Sequence, residues 1–117
     1  LHRWLISSFS WDTIEACRAA APEIATAWLV STVSPDRLAT IAAAGHAAVH
    51  PWEPNVTAEF VDRCHSIGLA VNTWTCNDPE RLVALADLGV DGVCTDVPDV
   101  ALAALGRDDV ALSPAWA

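Results

Sequence analysis

Hydrophobic and polar positions alternate in blocks along the chain. Short apolar runs of strand character begin near Trp4, Thr26, Ala47, Leu69 and Gly92, and their starts are about 21 to 23 residues apart. Each run leads into a segment with apolar residues at helical spacing, and the predicted helices cover residues 11–21, 35–44, 57–66, 79–88 and 98–105. The pattern predicts five strand–helix units in succession.

Start and stop signals support these boundaries. Ser10 and Ser34 precede the first two predicted helices and suit the N-cap position, and Asp78 precedes a proline in the first turn of the fourth. Four glycines follow the ends of the later helices, where a left-handed residue is favoured: Gly45, Gly68, Gly89 and Gly106.

Strand, helix and strand at short regular intervals indicate βαβ units and a parallel sheet with right-handed crossovers. The strands are continuous apolar runs, which is typical of a sheet covered on both faces. The fold class is therefore α/β. Periodicity alone leaves two architectures open, part of an eight-unit barrel or a doubly wound open sheet.

Residues 69–98 contain two segments that distinguish these architectures. The first is Trp74-Thr75-Cys76-Asn77, and the second runs from Gly89 through Asp91 and Asp96 to Pro98. Together they resemble the WT-x-N and GVDG-x-x-TD-x-P signature that ends the barrel of the glycerophosphodiester phosphodiesterase family. Upstream, Ser7-Ser8-Phe9 and His50-Pro51 are similar to other family segments. The resemblance implies that residues 1–106 form the C-terminal portion, about five βα units, of a (β/α)8 TIM barrel, and that residues 107–117 form a tail.

Length and charge agree with that expectation. The chain has 117 residues, whereas a whole barrel needs about 250. Fifteen acidic against six basic residues give a net charge of −9, which disfavours nucleic acid and anionic membrane surfaces as partners. The four cysteines show neither metal-finger nor CxxC spacing, and reduced thiols favour a cytoplasmic setting.

The resemblance implies metal-dependent hydrolysis of a glycerophosphodiester to an alcohol and glycerol 3-phosphate, in which a divalent cation (Ca²⁺ or Mg²⁺) is held by carboxylates and two histidines act as acid and base. The family carries these groups in an H-R-G motif, a Glu-x-Asp pair and a His-Asp pair. None of these can be placed here. The segment that starts like the first motif, His2-Arg3, continues with Trp4 where glycine is required. We therefore expect no catalytic residue or metal ligand in this chain, and no hydrolysis by it alone.

Residues at the carboxyl ends of barrel strands are the candidates for substrate contact. Trp74 and Phe9 are predicted to form an apolar wall, and Asn77 to donate a hydrogen bond to the substrate. The structural alternatives are that Trp74 only packs in the barrel mouth and that Asn77 helps to cap the following helix. Asp96 is interpreted as a cap of the last helix, with phosphate positioning by its loop as the alternative.

Histidines give weaker signals. His50 and Glu53 lie three residues apart after a strand, which suggests acid–base or metal chemistry. Two possible ligands without a third are a weak signal for a metal site, so the interpretation as a solvated loop is favoured. His46 and His65 lie at helix ends and are interpreted as polar residues suited to those positions.

Two functions from different classes follow. The first is the C-terminal portion of a phosphodiesterase that acts on a small-molecule substrate and is completed by an N-terminal half-barrel. The second is a non-catalytic half-barrel that binds a small ligand, or that pairs through its open sheet edge with a partner or a second copy.

Overall fold

A computed structural model of the protein describes residues 4–107. His2, Arg3 and almost all of the predicted tail lie outside these residues, and the domain boundary after residue 106 stays a prediction. The strands are β1 (Leu5–Ser8), β2 (Ala25–Val30), β3 (Ala48–Pro51), β4 (Ala70–Thr73) and β5 (Gly92–Val93). The helices are α1 (Trp11–Ala20), α2 (Pro35–Ala43), α3 (Ala58–Ser66), α4 (Pro79–Leu88) and α5 (Pro98–Ala104), with a 3-10 turn at Glu53–Asn55.

All five strands pair in parallel, and their order in the sheet is their order in the sequence. A doubly wound sheet reverses its strand order at a switch point, so the sequential order excludes it. Right-handed crossovers between sequential strands place the helices on one face. The chain is therefore an arc of five βα units, a partial (β/α)8 barrel, as the sequence predicts.

The predicted caps are confirmed at the first two helices. Ser10 accepts a hydrogen bond from the Thr13 amide at 3.2 Å, and Ser34 accepts one from the Arg37 amide at 3.3 Å. Asp78 occupies the N-cap position of α4, but its side chain makes no capping hydrogen bond. The four glycines that end helices all have φ between 68° and 91°, the left-handed region that glycine favours.

Helices and sheet bury two clusters on the outer face. The first joins β2, β3 and β4 to α2 and α3 through seven residues: Val30, Leu38, Ile41, Val49, Cys64, Leu69 and Val71. The second joins α3, α4 and α5 through Val56, Val61, Cys76, Leu82, Leu85 and Ala101. Apolar burial at about 25 cal/mol per Å² makes these clusters the main stabilising contribution.

His46 belongs to the packed interior, which corrects its interpretation as a polar helix-end residue. It is 4% exposed and lies between Thr26 and Glu15, whose oxygens are each 2.6 Å from one of its ring nitrogens. The Trp11 ring packs edge-on against the imidazole at 5.0 Å. His46 therefore joins α1 to β2 and to the segment that leads into β3.

The GVDG segment has a structural explanation. Gly89 ends α4 with a φ of 91°. The Asp91 carboxylate accepts hydrogen bonds from the Val71 amide at 2.7 Å and from the His65 ring at 2.8 Å, so it joins β4 to α3. Burial raises the pKa of Asp91, but the hydrogen bonds from Val71 and His65 outweigh it and leave the pKa below its usual value.

The inner face of the sheet is concave. Phe9 follows β1 and Trp74 follows β4, three strands farther along, and a flat sheet would separate those strands by about 14 Å. Their ring centroids are only 5.7 Å apart. The sheet therefore curves, and the continuous apolar strands do not have helices on both faces in the described part of the chain. A hollow of about 530 Å³ lies against this inner face.

Candidate functional site

Two of the three predicted substrate-contacting residues meet at the mouth of the arc. The Phe9 and Trp74 rings contact edge to face, with an interplanar angle of 87°. The Trp74 indole donates a hydrogen bond to the His50 carbonyl at 2.9 Å, and the Trp28 indole donates one to the Phe9 carbonyl, also at 2.9 Å. These hydrogen bonds hold the Trp74 ring and the backbone of Phe9 in place.

Trp52 is a third aromatic residue at this mouth, and the sequence-based reasoning did not select it. It follows β3, forms a parallel bridge with Trp74 and is 44% exposed. Phe9 is 61% exposed. We call Phe9, Trp52 and Trp74 the aromatic rim. The available signal was position, since Trp52 stands after a strand in the same way as Phe9 and Trp74.

Asn77 joins two neighbouring loops. Its amide group donates to the Asp96 carboxylate at 2.9 Å, and its oxygen accepts from the Thr95 hydroxyl at 3.0 Å and from the Asp96 amide at 2.9 Å. The expectation that Asn77 helps to cap α4 is wrong, because Asp78 is the N-cap. Asp96 does not cap α5 either, since Val97 is that N-cap and no side chain bonds there. A capping side chain bonds to backbone amides of its own helix, whereas Asn77 and Asp96 bond to each other between neighbouring loops.

His50 and Asn72 form a polar pair on the inner face. The His50 Nε2 and the Asn72 Nδ2 are 2.9 Å apart. Desolvation by burial lowers the pKa of His50, which favours a neutral imidazole. Both side chains line the hollow below Trp74, beside Leu29 and Cys94.

Glu53 lies apart from this pair. Its carboxylate forms an ion pair with Arg81 of α4, and the same guanidinium donates to the carbonyls of Glu53 and Val56 at 3.1 and 3.2 Å. The interpretation of His50 and Glu53 as a solvated loop is therefore wrong: each has a fixed partner. The Glu53 amide donates to the Trp74 carbonyl at 2.7 Å, so the ion pair helps to hold the aromatic rim.

Residues 4–107 do not provide a metal centre. No group of three or more histidine, cysteine, aspartate or glutamate side chains within that range is arranged to hold an ion. The divalent cation that the resemblance implies therefore does not fit the described residues. Among the helices of the described residues, none combines the length and the apolar character needed to cross a membrane.

Comparisons with known proteins agree with this geometry. The model of the "Glycerophosphoryl diester phosphodiesterase family" matches residues 2–100. A glycerophosphodiester phosphodiesterase of Bacillus altitudinis is 34% identical over 105 residues, which are 86% of this chain and 42% of that protein. The uncharacterized protein YqiK of Bacillus subtilis is 36% identical over 111 residues, which are 91% of this chain and 44% of that protein.

Solved structures agree as well. A phosphodiesterase from Oleispira antarctica, in complex with the product sn-glycerol-3-phosphate, superposes with a TM-score of 0.82 at 25% identity, covering 87% of this chain and 41% of that one. The chain thus spans about 40% of the length of the relatives it matches. Since the family model covers residues 2–100, the chain belongs to the glycerophosphoryl diester phosphodiesterase family.

Proposed function

We propose that this chain supplies the C-terminal five βα units of a glycerophosphodiester phosphodiesterase, which hydrolyses its substrate to an alcohol and glycerol 3-phosphate. The family match over residues 2–100 carries the proposal. The placement of the aromatic rim at the carboxyl ends of the strands supports it, since barrel enzymes build their active sites there.

In this function the chain binds and orients the substrate. The exposed faces of Phe9 and Trp74 form an apolar surface against the carbon skeleton of the bound ester. Asn77 is the third proposed contact, through the loop that it forms with Thr95 and Asp96. Its side chain already has three hydrogen bonds, so its contribution to binding comes mainly from fixing that loop.

The acid–base and metal groups belong to the other units of the barrel. When bound, a divalent cation, Ca²⁺ or Mg²⁺, supplies charge stabilisation to the phosphoryl group. The described residues offer no ligand set for it, and the only histidine on the hollow, His50, is bonded to an uncharged amide. We therefore expect the chain alone to be inactive.

The ends of the arc are the proposed docking surfaces for the missing units. At the β1 end, Trp4 and Leu5 are 66% and 41% exposed. At the β5 end, a hollow of about 400 Å³ is lined by apolar side chains that include Val93, Leu102 and Leu105. An N-terminal half-barrel would cover both ends, and a second copy of the chain is the alternative occupant.

A chimera tests the proposal. The part of the Bacillus altitudinis relative that precedes its match to this chain is joined to these 117 residues, and release of glycerol 3-phosphate from glycerophosphocholine is measured with and without Ca²⁺ or Mg²⁺. We expect metal-dependent turnover by the chimera and none by the chain alone. The Trp74→Ala chimera should lose activity mainly through a higher KM, whereas Val83→Ala, on the outer surface of α4, should leave it unchanged.

Two results would contradict the proposal. Metal-dependent turnover by the chain alone would show that this chain itself contains the acid–base groups, which the proposal assigns to the other units of the barrel. A chimera that folds, judged by its circular dichroism and monodispersity, yet has no turnover would favour the alternative function, a half-barrel that binds a small ligand. The open hollow on the inner face supports this alternative, because it could hold a small ligand.

A further inference from the structure

One row of the inner face carries polar side chains between apolar neighbours. Leu29 is the register partner of His50, and Asn72 is the register partner of Gly92. Ala48 and Ala70 pair two residues earlier, so His50 and Asn72 lie side by side on adjacent strands. Their side chains contact each other across the sheet at 2.9 Å.

The contact determines which nitrogen of the His50 ring carries the proton. The Asn72 Nδ2 carries two hydrogens and only donates, so the His50 Nε2 accepts. In a neutral ring the remaining proton is then on Nδ1. Burial, which lowers the pKa of His50, maintains this neutral form.

The pair, which lines the hollow, keeps hydrogen-bonding capacity that it does not use itself: the His50 Nδ1, the second hydrogen on the Asn72 Nδ2 and the Asn72 Oδ1. Within residues 4–107 neither the His50 Nδ1 nor the Asn72 Oδ1 makes a protein hydrogen bond, and no fully buried side-chain nitrogen or oxygen there lacks a partner. Both atoms are therefore open to solvent. Gly92 permits this arrangement, because a Cβ at that position would be 2.6 Å from the Asn72 Oδ1.

The chemistry of the pair selects its ligand. It presents N–H donors, on the His50 Nδ1 and on the Asn72 Nδ2, beside one carbonyl acceptor, and none of the described residues that line this hollow is acidic or basic at neutral pH. A hydroxyl group both donates and accepts and matches that pattern. A phosphate oxygen only accepts, so the Asn72 Oδ1 repels it.

We propose that His50 and Asn72 bind a hydroxyl group of the glycerol moiety, below the aromatic rim that packs against its carbons. This inference rests on the proposed function and adds the part of the substrate that this chain recognises. It makes the pair a determinant of specificity for the glycerol side of the ester. The discrimination should be about threefold to tenfold, which corresponds to one net hydrogen bond between neutral groups.

A pair of matched ligands tests the inference on the chain itself. Glycerol 3-phosphate and propyl phosphate share the phosphate and three carbons, and only the first carries hydroxyl groups. Each is titrated against the ¹⁵N-labelled chain, and the His50 ring and Asn72 amide resonances are followed by NMR. We expect glycerol 3-phosphate to bind about three to ten times more tightly than propyl phosphate.

Variants assign the preference to the pair. Asn72→Leu removes the acceptor together with the amide donor, His50→Phe removes the ring donor, and each should make the two affinities equal. His65→Ala, on the outer side of the arc, should leave the preference unchanged. The dispersion of the NMR spectrum shows whether each variant is folded, and the two variants affect different atoms of the same site.

Equal affinities in the unchanged chain, or no binding of either ligand, would overturn the inference. The inference would also be overturned if inorganic phosphate shifted the His50 and Asn72 resonances as strongly as glycerol 3-phosphate does. That result would show that the chain recognises the phosphate group. The chimera separates the two proposals: a chimera without turnover beside an intact hydroxyl preference rejects the phosphodiesterase proposal alone. A chimera that hydrolyses glycerophosphocholine and propyl phosphocholine with equal kcat/KM rejects only the role of His50 and Asn72.

Discussion

The buried histidine His46 gives the sharpest test of the packing. We expect His46→Ala to lower the free energy of unfolding by about 3–5 kcal/mol. His65→Ala, which removes the same side chain from a helix end, should cost no more than about 1 kcal/mol. Both histidines contact a carboxylate, so the contrast isolates the effect of burial.

The magnitude follows from the surroundings of the ring. The His46 side chain is fully buried, and its removal takes apolar contact away from Trp11, a loss of about 1.5–3 kcal/mol. It also leaves the Thr26 hydroxyl, 1% exposed, without its partner, which costs about 1–3 kcal/mol. Glu15 is 44% exposed and is resolvated by water, so its loss adds little.

Urea unfolding, followed by tryptophan fluorescence, measures the difference between the two variants at an unchanged m-value. Thr26→Val serves as a partial variant and should cost about 1–2 kcal/mol, since it removes one hydrogen bond and keeps the shape. The reasoning is refuted if His46→Ala costs less than about 1 kcal/mol. It is refuted equally if His65→Ala proves as costly.

Three further predictions concern other parts of the arc. Gly45→Ala should lower the free energy of unfolding by about 1 kcal/mol more than Gly68→Ala, as measured by urea unfolding. Both glycines have positive φ, but only at Gly45 would a Cβ meet a side chain. It would lie 2.5 Å from the guanidinium of Arg18, which donates a hydrogen bond to the Ala44 carbonyl. Burial raises the pKa of Cys64 to about 11, whereas Cys94 is exposed. At about pH 8 iodoacetamide should therefore label Cys94 in the native protein and Cys64 only after unfolding, as measured by mass spectrometry. Labelling of Cys64 in the native protein would contradict this. The lowered pKa of Asp91 stabilises the fold above the ordinary carboxyl pKa of 3.8, and this contribution is lost as the pH falls through the folded value, so Asp91→Asn should flatten the acid side of the stability profile measured by denaturant titration.

The order and type of the secondary structure could be predicted because each unit carries its own signals. Ser10 and Ser34 mark helix starts in the sequence, and the structure confirms both caps. The last strand begins at Gly92, as the apolar pattern predicts, but spans only Gly92–Val93. It lies at the edge of the sheet with one neighbour, so fewer ladder bonds define its end.

The site could be predicted only in part, because contacts between distant residues decide it. Phe9 and Trp74 were selected through the family resemblance, but their ring contact joins residues that lie far apart in the chain. Asn77 fits a local capping rule and instead bonds to the next loop, 19 residues later. The polar pair of His50 and Asn72 spans 22 residues. Sequence periodicity carries no information about partners at such separations.

The curvature of the sheet has a consequence for how such barrels diversify. The contact between Phe9 and Trp74 spans two intervening strands, so the bend belongs to these five strands and their helices. A segment with a built-in bend carries its share of the mouth with it when it is transferred. Recombination at strand boundaries can therefore exchange whole arcs between genes, altering substrate preference in one step while the strand pairings inside each arc are inherited intact.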